Sequence, residues 1–224
     1  MADGGSWAVQ RWRERAATFH GRPLPDVVER AVWVCEPTGS ALVLGSGQPD
    51  SHVDLAACAA AGVEVVRRRS GGGAVLVEPA AVLWVDVLVP ADDPLWDPDV
   101  GRAFLWLGQA WARALADAGI ASTVHGGAMR RSRWSDLVCF AGLGPGELTD
   151  GSNRKVLGIS QRRTRAGARF QCVVLDAWVP ARLTALLALA PADRDAAAAE
   201  LAPVAVGVGS APDRLLPALL SHLP

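Results

Sequence analysis

The sequence predicts an α+β fold, a mixed β-sheet flanked by helices. Short apolar runs typical of strands recur along the chain, while long helical patterns between them are few. That distribution argues against a doubly wound parallel sheet, in which a helix would follow every strand. Apolar residues make up 50% of the 224 residues, which is enough for a packed core and excludes a disordered chain.

The first half of the chain consists mainly of predicted strands. An amphipathic pattern over residues 7–19 predicts a short helix. Ser51 and Asp54 have the spacing of a capping box, which predicts a second helix that ends near Gly62. Strands are predicted over residues 31–36, 41–45, 63–67, 74–78 and 82–90.

The second half contains one long predicted helix and four more strands. Apolar residues at helical spacing over 100–118 predict the helix, and Gly119 is expected to end it. From Pro180 onward, Ala- and Leu-rich pieces separated by prolines predict two or three short helices. The strands are predicted over residues 122–127, 136–142, 154–160 and 170–176.

Composition limits the classes of partner. The net charge of −1 gives no general attraction to nucleic acid or to a membrane, so neither is an expected partner. The N-terminus lacks the apolar core of a signal peptide, and the chain has no apolar run of the roughly 18 residues that a membrane helix needs. The four cysteines have no C-x-x-C spacing and are expected to be reduced thiols, with no metal site. We therefore expect a cytoplasmic protein.

The most informative segment is the glycine loop, residues 67–75, which reads RRRSGGGAV. Three consecutive glycines between two strands permit positive φ angles and a close approach of backbone to a ligand. Successive backbone N–H groups beside arginines suit an anionic group such as a phosphate. The loop is neither a Walker loop nor a dinucleotide fingerprint, because it lacks G-K-[ST] and a strand follows it. The alternative interpretation of residues 67–75 is a flexible hairpin turn that binds no ligand.

Lys155 is the only lysine among 22 basic residues. Arginine-rich codon usage with one surviving lysine would explain this without any function. A lysine ammonium is a compact charge that can contact a carboxylate oxygen and a phosphate oxygen together, which the larger guanidinium does poorly. A reaction that activates a carboxylate on a phosphate needs such a cation where negative charge develops.

The glycine loop, followed by RKVLGISQRR at residues 154–163, resembles the lipoate–protein ligase A family, within the biotin/lipoate ligase catalytic domain. Residues 41–48 (ALVLGSGQ) and 134–138 (WSDLV) resemble two further motifs of that family. The resemblance implies the mixed-sheet α+β domain shared with biotin ligases and class II synthetases. The domains expected from it are a helical N-terminal extension over 1–29, the catalytic domain over 30–210, and a C-terminal helix over 211–224 without an accessory domain.

The resemblance also implies a two-step reaction. The carboxylate of lipoate or octanoate attacks the α-phosphate of ATP, with Mg²⁺, to give an acyl-adenylate. A lysine of a lipoyl acceptor domain, from a 2-oxoacid dehydrogenase or a glycine cleavage protein, then receives the acyl group as an amide. A separate accessory subunit or an acyl-carrier protein is a further expected partner.

Site residues follow from matching the family's motifs onto this chain. Lys155 would be the catalytic residue, in contact with the acyl carbonyl and the phosphate. The expected nucleotide- and acyl-binding residues are Arg68, Ser70, Gly71, Gly72, Gly73, Ala74, Val75, Leu76, Asp136, Gly158 and Ser160.

The chain departs from the family pattern at three positions. Val77 and Ala81 stand where the family usually has histidine and asparagine, so the acyl pocket is expected to be altered. Asn153 replaces the glycine that opens the lysine motif, and asparagine tolerates the same left-handed conformation.

Two other functions remain open. The segment around Cys139 resembles the related octanoyltransferases, in which a cysteine takes the acyl chain from a carrier protein as a thioester without ATP. Cys139 would then be the nucleophile and Lys155 would polarise the carbonyl. The ligase-type glycine loop, Ser70 to Gly73, favours the ligase. A non-catalytic module that binds acyl groups or nucleotides is the third hypothesis.

Overall fold

The computed structural model describes residues 6–209 and 212–224. In this part of the chain ten strands form two sheets. The strands are β1 (Ala8–Glu14), β2 (Ala31–Pro37), β3 (Ala41–Leu44), β4 (Glu64–Arg67), β5 (Val75–Val77), β6 (Val82–Pro90), β7 (Thr123–Val124), β8 (Leu148–Thr149), β9 (Lys155–Arg163) and β10 (Gly167–Leu175). The α-helices are α1 (Ala16–Gly21), α2 (Leu55–Ala60), α3 (Leu105–Asp117), α4 (Pro180–Thr184), α5 (Pro191–Leu201) and α6 (Pro212–His222).

Both sheets are mixed, which confirms the predicted fold class. The large sheet has seven strands in the order β1-β2-β6-β10-β9-β8-β7. Strands β1 and β2 are parallel, and every other neighbouring pair in this sheet is antiparallel. The small sheet has the order β4-β3-β5, with β3 parallel to β4 and antiparallel to β5.

One face of the large sheet packs against α3 and α6. Helix α3 places Leu107, Trp111 and Leu115 in this core, and their spacing of four residues puts them on one side of the helix. Helix α6 contributes Leu215 and Leu219 to the same core. The helices therefore cover the face opposite to the one that carries the site.

The other face of the large sheet packs against α1 and the small sheet. Phe19 of α1, Trp84 of β6 and Val43 of β3 belong to one buried cluster. The rings of Phe19 and Trp84 meet edge to face, with centroids 5.2 Å apart. A pocket opens between the two sheets on this side, and the fold positions the candidate site there.

A buried ion pair fastens α1 to the large sheet. Arg169 Nε donates to Asp86 Oδ2 at 2.8 Å, and both side chains are almost completely excluded from solvent. The same guanidinium donates to the carbonyl oxygens of Phe19 at 2.8 Å and Arg22 at 2.9 Å. Trp84 Nε1 donates to Asp86 Oδ1 at 2.8 Å. These contacts satisfy the buried charges, without which burial would be very unfavourable.

The predicted helix over residues 7–19 is wrong for most of its length. Ala8–Glu14 is a strand, and only Ala16–Gly21 is helical. Strand β1 is an edge strand whose side chains are largely exposed, so backbone pairing with β2 determines its structure and the side-chain pattern says little. Residues 8–14 are thus part of the large sheet rather than of a helical extension, while the domain boundaries at 29 and 210 stay predictions.

The predicted strand over residues 136–142 is also wrong. Cys139–Ala141 is a single 3₁₀ turn. The backbone pairing of this segment is one isolated bridge, between Val138 and Ala74. Ala74 N donates to Leu137 O at 2.8 Å, and Cys139 N donates to Ala74 O at 3.0 Å. Val138, Phe140 and Ala141 are buried, but they belong to a turn that packs on the glycine loop instead of to a strand.

The remaining elements confirm the sequence prediction: β6 has the predicted bounds, β2, β9 and β10 are longer than predicted, and β3, β4, β5, β7 and α3 are shorter. Asp54, rather than Ser51, caps α2, since its carboxylate accepts from Ala57 N at 2.9 Å. The C-terminal region contains three short helices, where two or three were predicted, and the two-residue strand β8 was not predicted. Among the described residues, no helix combines the length and the hydropathy needed to cross a bilayer.

We predict that Asp86→Asn destabilises the fold severely, because it leaves the Arg169 guanidinium buried without a counterion. The free energy of unfolding, measured by urea denaturation at pH 7, should fall by about 3–5 kcal/mol. Asp136→Asn is the matched control, since that carboxylate is 80% exposed and pairs with Arg131 in water. Equal losses in the two variants would contradict the structural role given to Asp86.

Candidate functional site

An apolar pocket lies between the two sheets; the empty space among its lining atoms is about 460 Å³, a volume that includes solvent at its open mouth. Its floor is a row of residues on neighbouring strands: Gly158 of β9 faces Val173 of β10, which faces Trp84 of β6. The valines at positions 43, 75 and 77 line its walls. The shape and lining suit a narrow apolar chain.

Gly158 keeps the floor open beside the reactive groups. A Cβ atom built there would lie 3.5 Å from the Phe140 ring and 3.6 Å from Lys155 Cε, which is ordinary contact. The backbone at this position has no positive φ, so the fold does not require glycine. What glycine supplies is space, because any longer side chain would enter the pocket.

Lys155, the first residue of β9, borders this region and is only 3% exposed. Its ammonium lies 2.7 Å from Glu147 Oε2, 2.9 Å from Gly142 O and 3.3 Å from Cys139 O. It also lies 5.1 Å from the centre of the Phe140 ring. Because an ammonium has three N–H groups, these acceptors use all of them. Contact with a substrate therefore requires Lys155 to exchange one partner, and the longest bond is that to Cys139 O.

Glu147 is the residue of this site that the sequence interpretation missed. Its side chain is buried, and besides Lys155 it binds two backbone N–H groups: Ile159 N at 3.0 Å and Gly144 N at 2.7 Å. It therefore fixes the 139–144 segment against β9. The signal for it was the lysine itself, because a single lysine next to the apolar run VLGI needs an anion if it is buried.

The glycine loop is packed too tightly for side chains at several positions. A Cβ on Gly45 would lie 1.8 Å from Gly72 O, and one on Gly73 would lie 2.4 Å from Val138 N. Gly72 has a φ of +98°, which favours glycine. The glycines therefore let the loop contact both the small sheet and the 138–139 segment.

The buried Arg68 side chain binds the backbone of this loop. The guanidinium is buried and donates to Val43 O at 3.1 Å, Gly71 O at 2.7 Å and Gly73 O at 2.9 Å. The carbonyl groups of the loop are thereby turned toward Arg68. Within residues 6–209 and 212–224, the N–H groups of Gly71 and Gly72 donate to no protein acceptor, as expected of a loop available to an anion.

The other predicted binding residues fall into two groups. Ser70 Oγ lies 3.0 Å from Ser160 Oγ, so the glycine loop and β9 meet at the edge of the pocket. Ala74 N is occupied by Leu137 O, and Val75 and Leu76 pair with β3. Nucleotide binding by these three residues stays a prediction.

Asp136 does not line the apolar pocket. Its carboxylate is exposed and accepts from Arg131 at 2.8 Å. Arg131 lines a second depression, together with Arg130 and Asn153, that reaches Lys155 from the other side of Phe140. Asn153 has a φ of +61°, which confirms the left-handed conformation expected from its position in the motif. The role predicted for Asp136 in binding is not tested by this geometry.

Cys139 does line the apolar pocket and is half-buried. Its Sγ lies 3.6 Å from the point where a Cβ on Gly72 would be, so it adjoins the glycine loop. Its carbonyl oxygen is one of the three acceptors of Lys155. The thiol therefore lines the apolar pocket, whereas Lys155 lines the second depression and reaches Cys139 through the backbone carbonyl.

We predict that Gly158→Leu abolishes binding of medium-chain acyl groups while the protein stays folded. The new side chain would fill the floor between Phe140 and Val173 without straining the backbone. Gly158→Ala is the matched control and should bind nearly as the wild type does, because its Cβ makes only ordinary contacts. Binding of octanoate by calorimetry, with thermal unfolding to verify the fold, checks this; equal affinities for both variants would show that the chain binds elsewhere.

Comparisons with known proteins agree with this geometry. The family model of the lipoyl protein ligase A/B catalytic domain matches residues 11–207. A bipartite lipoate protein ligase from Thermoplasma acidophilum superposes with a TM-score of 0.70 at 17% identity, covering 97% of this chain and 81% of that chain. A structure of lipoate-protein ligase A bound with ATP superposes with a TM-score of 0.64 at 17% identity, covering 97% of this chain and 83% of that chain.

A further Thermoplasma acidophilum structure, with bound lipoic acid, gives a TM-score of 0.63 at 17% identity and covers 97% of this chain and 83% of that chain. No curated protein sequence gives a significant match. Identities this low show a shared fold alone, but the family model spans most of the chain. The chain belongs to the lipoyl protein ligase A/B catalytic domain family and is a lipoate–protein ligase-like enzyme.

Proposed function

We propose that this enzyme activates lipoate or a medium-chain fatty acid with ATP and transfers the acyl group to a lysine of a lipoyl acceptor domain. The observation that carries the proposal is the apolar pocket, which Arg68 of the glycine loop lines and whose floor residue Gly158 adjoins the buried side chain of Lys155. The apolar part suits the acyl chain. The cation and the N–H groups suit a carboxylate that reacts with a phosphate.

In the first step a carboxylate oxygen attacks the α-phosphorus of ATP, and pyrophosphate leaves. In the second step the acceptor amine attacks the acyl carbonyl, AMP leaves with the bonding electrons, and the amine loses a proton. Lys155 would stabilise the negative charge that develops on the carbonyl and phosphate oxygens in both steps. Glu147 and Gly142 would hold the lysine while it exchanges Cys139 O for a substrate oxygen.

The backbone N–H groups of the glycine loop are better placed to bind the phosphates of the nucleotide than the Arg68 guanidinium is. Gly71 and Gly72 are exposed and carry unoccupied N–H groups, whereas the Arg68 guanidinium is engaged by three carbonyl oxygens. Arg68 would thus act by shaping the loop. Mg²⁺ would enter bound to the phosphates, as it commonly does. The described residues contain no cluster of three His, Cys, Asp or Glu side chains that could hold a metal.

The acceptor would be a lipoyl domain of a 2-oxoacid dehydrogenase or a glycine cleavage protein. The depression beside Arg130 and Arg131 gives its lysine an approach to Lys155 that does not cross the acyl pocket. A separate accessory subunit belongs to the proposal, because the Thermoplasma acidophilum ligase is bipartite and was described with its E2 lipoyl domain.

The position of Cys139 favours a second candidate, an octanoyltransferase. Its thiol lines the acyl pocket, and its own carbonyl oxygen binds Lys155. In that reaction the Cys139 thiolate attacks the thioester of an acyl-carrier protein, and the carrier thiol leaves. The acceptor amine then displaces Cys139 from the acyl-enzyme, with no need for ATP.

We predict carboxylate-dependent exchange of pyrophosphate into ATP, with lipoate or octanoate as the acid. Because adenylation does not involve the thiol, the exchange should persist in Cys139→Ser. The absence of exchange, with an acyl mass shift on Cys139 after addition of acyl-carrier protein, would instead establish the transferase. If neither signal is found with or without an accessory subunit, the chain is a non-catalytic binding module.

We also predict that Lys155→Arg abolishes acyl transfer, with a loss of at least about 100-fold in the rate. The guanidinium is larger than the space between Glu147, Gly142 and Cys139, so it cannot place one compact charge at the same point. Arg154→Lys is the neighbouring control, since its side chain is 42% exposed and pairs with Asp150. Single-turnover acylation of a lipoyl domain measures both variants, and a fully active Lys155→Arg enzyme would exclude the mechanism.

A further inference from the structure

Phe140 lies where three cavities meet. It lines the apolar pocket, the depression beside Arg130 and Arg131, and a third cavity next to Trp178. In the part of the chain that the structure describes, it is the one residue that lines both the apolar pocket and the depression. Its side chain is buried. The Phe140 ring therefore forms a partition between the two cavities.

Contacts of the ring assign each of its sides to one cavity. Its Cε2 and Cζ atoms lie 3.5 and 3.6 Å from the point where a Cβ on Gly158 would be, on the floor of the apolar pocket. The ammonium of Lys155, which lines the depression, lies 5.1 Å from the ring centre. Trp178, which lines the third cavity, stacks on the ring with centroids 5.8 Å apart. An acyl group in the pocket and an amine in the depression are thus separated by this ring.

The backbone on both sides of Phe140 is fixed. Cys139 N donates to Ala74 O at 3.0 Å, and Ser135 Oγ donates to Ala141 O at 2.9 Å. These hydrogen bonds attach the turn to the glycine loop on one side and to the preceding segment on the other. A path between the two cavities therefore opens by movement of the Phe140 side chain, while the turn stays in place.

The ring has space for that movement. Phe140 belongs to a small buried cluster with Leu175 and Ala205, which is separate from the three larger ones. The third cavity has about 500 Å³ of empty space among its lining atoms, including solvent at its mouth. A change of rotamer toward this cavity breaks the stack on Trp178 and leaves the larger clusters intact.

We propose that Phe140 is a specificity-determining residue that keeps the acyl-adenylate away from every nucleophile except the lysine of a docked acceptor domain. The proposal rests on the proposed function, in which the acyl group lies in the apolar pocket and the acceptor approaches through the depression. A docked domain supplies binding energy that displaces the ring. Water and small amines supply none, so they reach the acyl carbonyl only when the ring moves spontaneously.

The test gives the full-length protein synthetic octanoyl-adenylate, so that the first half-reaction is bypassed. The complex is then mixed with hydroxylamine, a small nucleophile that forms a hydroxamate, or with a lipoyl domain, whose lysine forms an amide. In both reactions the nucleophile loses a proton and AMP leaves with the bonding electrons. The quantity measured is the ratio of the two single-turnover rates, hydroxylamine over lipoyl domain.

Phe140→Leu should raise this ratio about fivefold, because spontaneous opening no longer breaks a stacked aromatic pair. Phe140→Trp should lower both rates, since a larger ring has to leave the same partition. Phe170→Leu is the matched control: that ring is also buried, but it packs with α3 on the opposite face of the large sheet. The control should keep the wild-type ratio.

The outcomes separate the two proposals. If the wild type transfers the acyl group to neither nucleophile, the proposed function fails, and the role of Phe140 with it. If the wild type acylates the lipoyl domain but Phe140→Leu keeps the wild-type ratio, only the role of Phe140 is overturned. An equal change in Phe170→Leu overturns it too, because general loosening of the fold would then explain the effect. Should thermal unfolding show that Phe140→Trp does not fold, Phe140→Leu decides, since it adds no atoms.

Discussion

The ion pair between Lys155 and Glu147 is the contact on which the arrangement of the site depends. Glu147 binds the lysine, Ile159 N of β9 and Gly144 N, and the lysine in turn binds the carbonyl groups of Cys139 and Gly142. An irregular segment, which has only isolated backbone bridges to other parts of the chain, is thereby attached to a regular strand. Two charges that would be costly to bury singly become a rigid support, because each hydrogen bond is satisfied.

A second buried ion pair, between Asp86 and Arg169, likewise fixes a neighbouring element in place. Asp86 and Arg169 are buried between the large sheet and α1, and their hydrogen bonds hold that helix. Apolar floor residues lie between these two ion pairs. Dispersion and the hydrophobic effect would favour many ways of packing α1 on the sheet, whereas a directional network of this kind selects one. The apolar pocket thus lies among elements that buried polar networks hold in place.

The glycine loop and Lys155 carry strong local signals in the sequence. The structure places Arg68 of the loop in the apolar pocket and Lys155 next to its floor residue Gly158, while their roles in binding and catalysis stay predictions. The lysine indicated that a buried anion was needed, but it could not indicate that Glu147 supplies it, because one acidic residue has no sequence pattern until tertiary contacts give it partners. The errors at β1 and at residues 136–142 have a related cause: an exposed edge strand and a buried turn are specified by backbone pairing, which leaves no periodicity in the side chains.

The burial of Lys155 has a chemical consequence for the protein itself. Activated acyl groups react with any accessible amine, and enzymes that generate them are exposed to them at every turnover. The only side-chain amine in this sequence is 3% exposed and has all three of its N–H groups hydrogen-bonded, while the other 21 basic side chains are guanidinium groups that remain protonated. The sequence therefore has no lysine on the protein surface for an activated acyl group to modify.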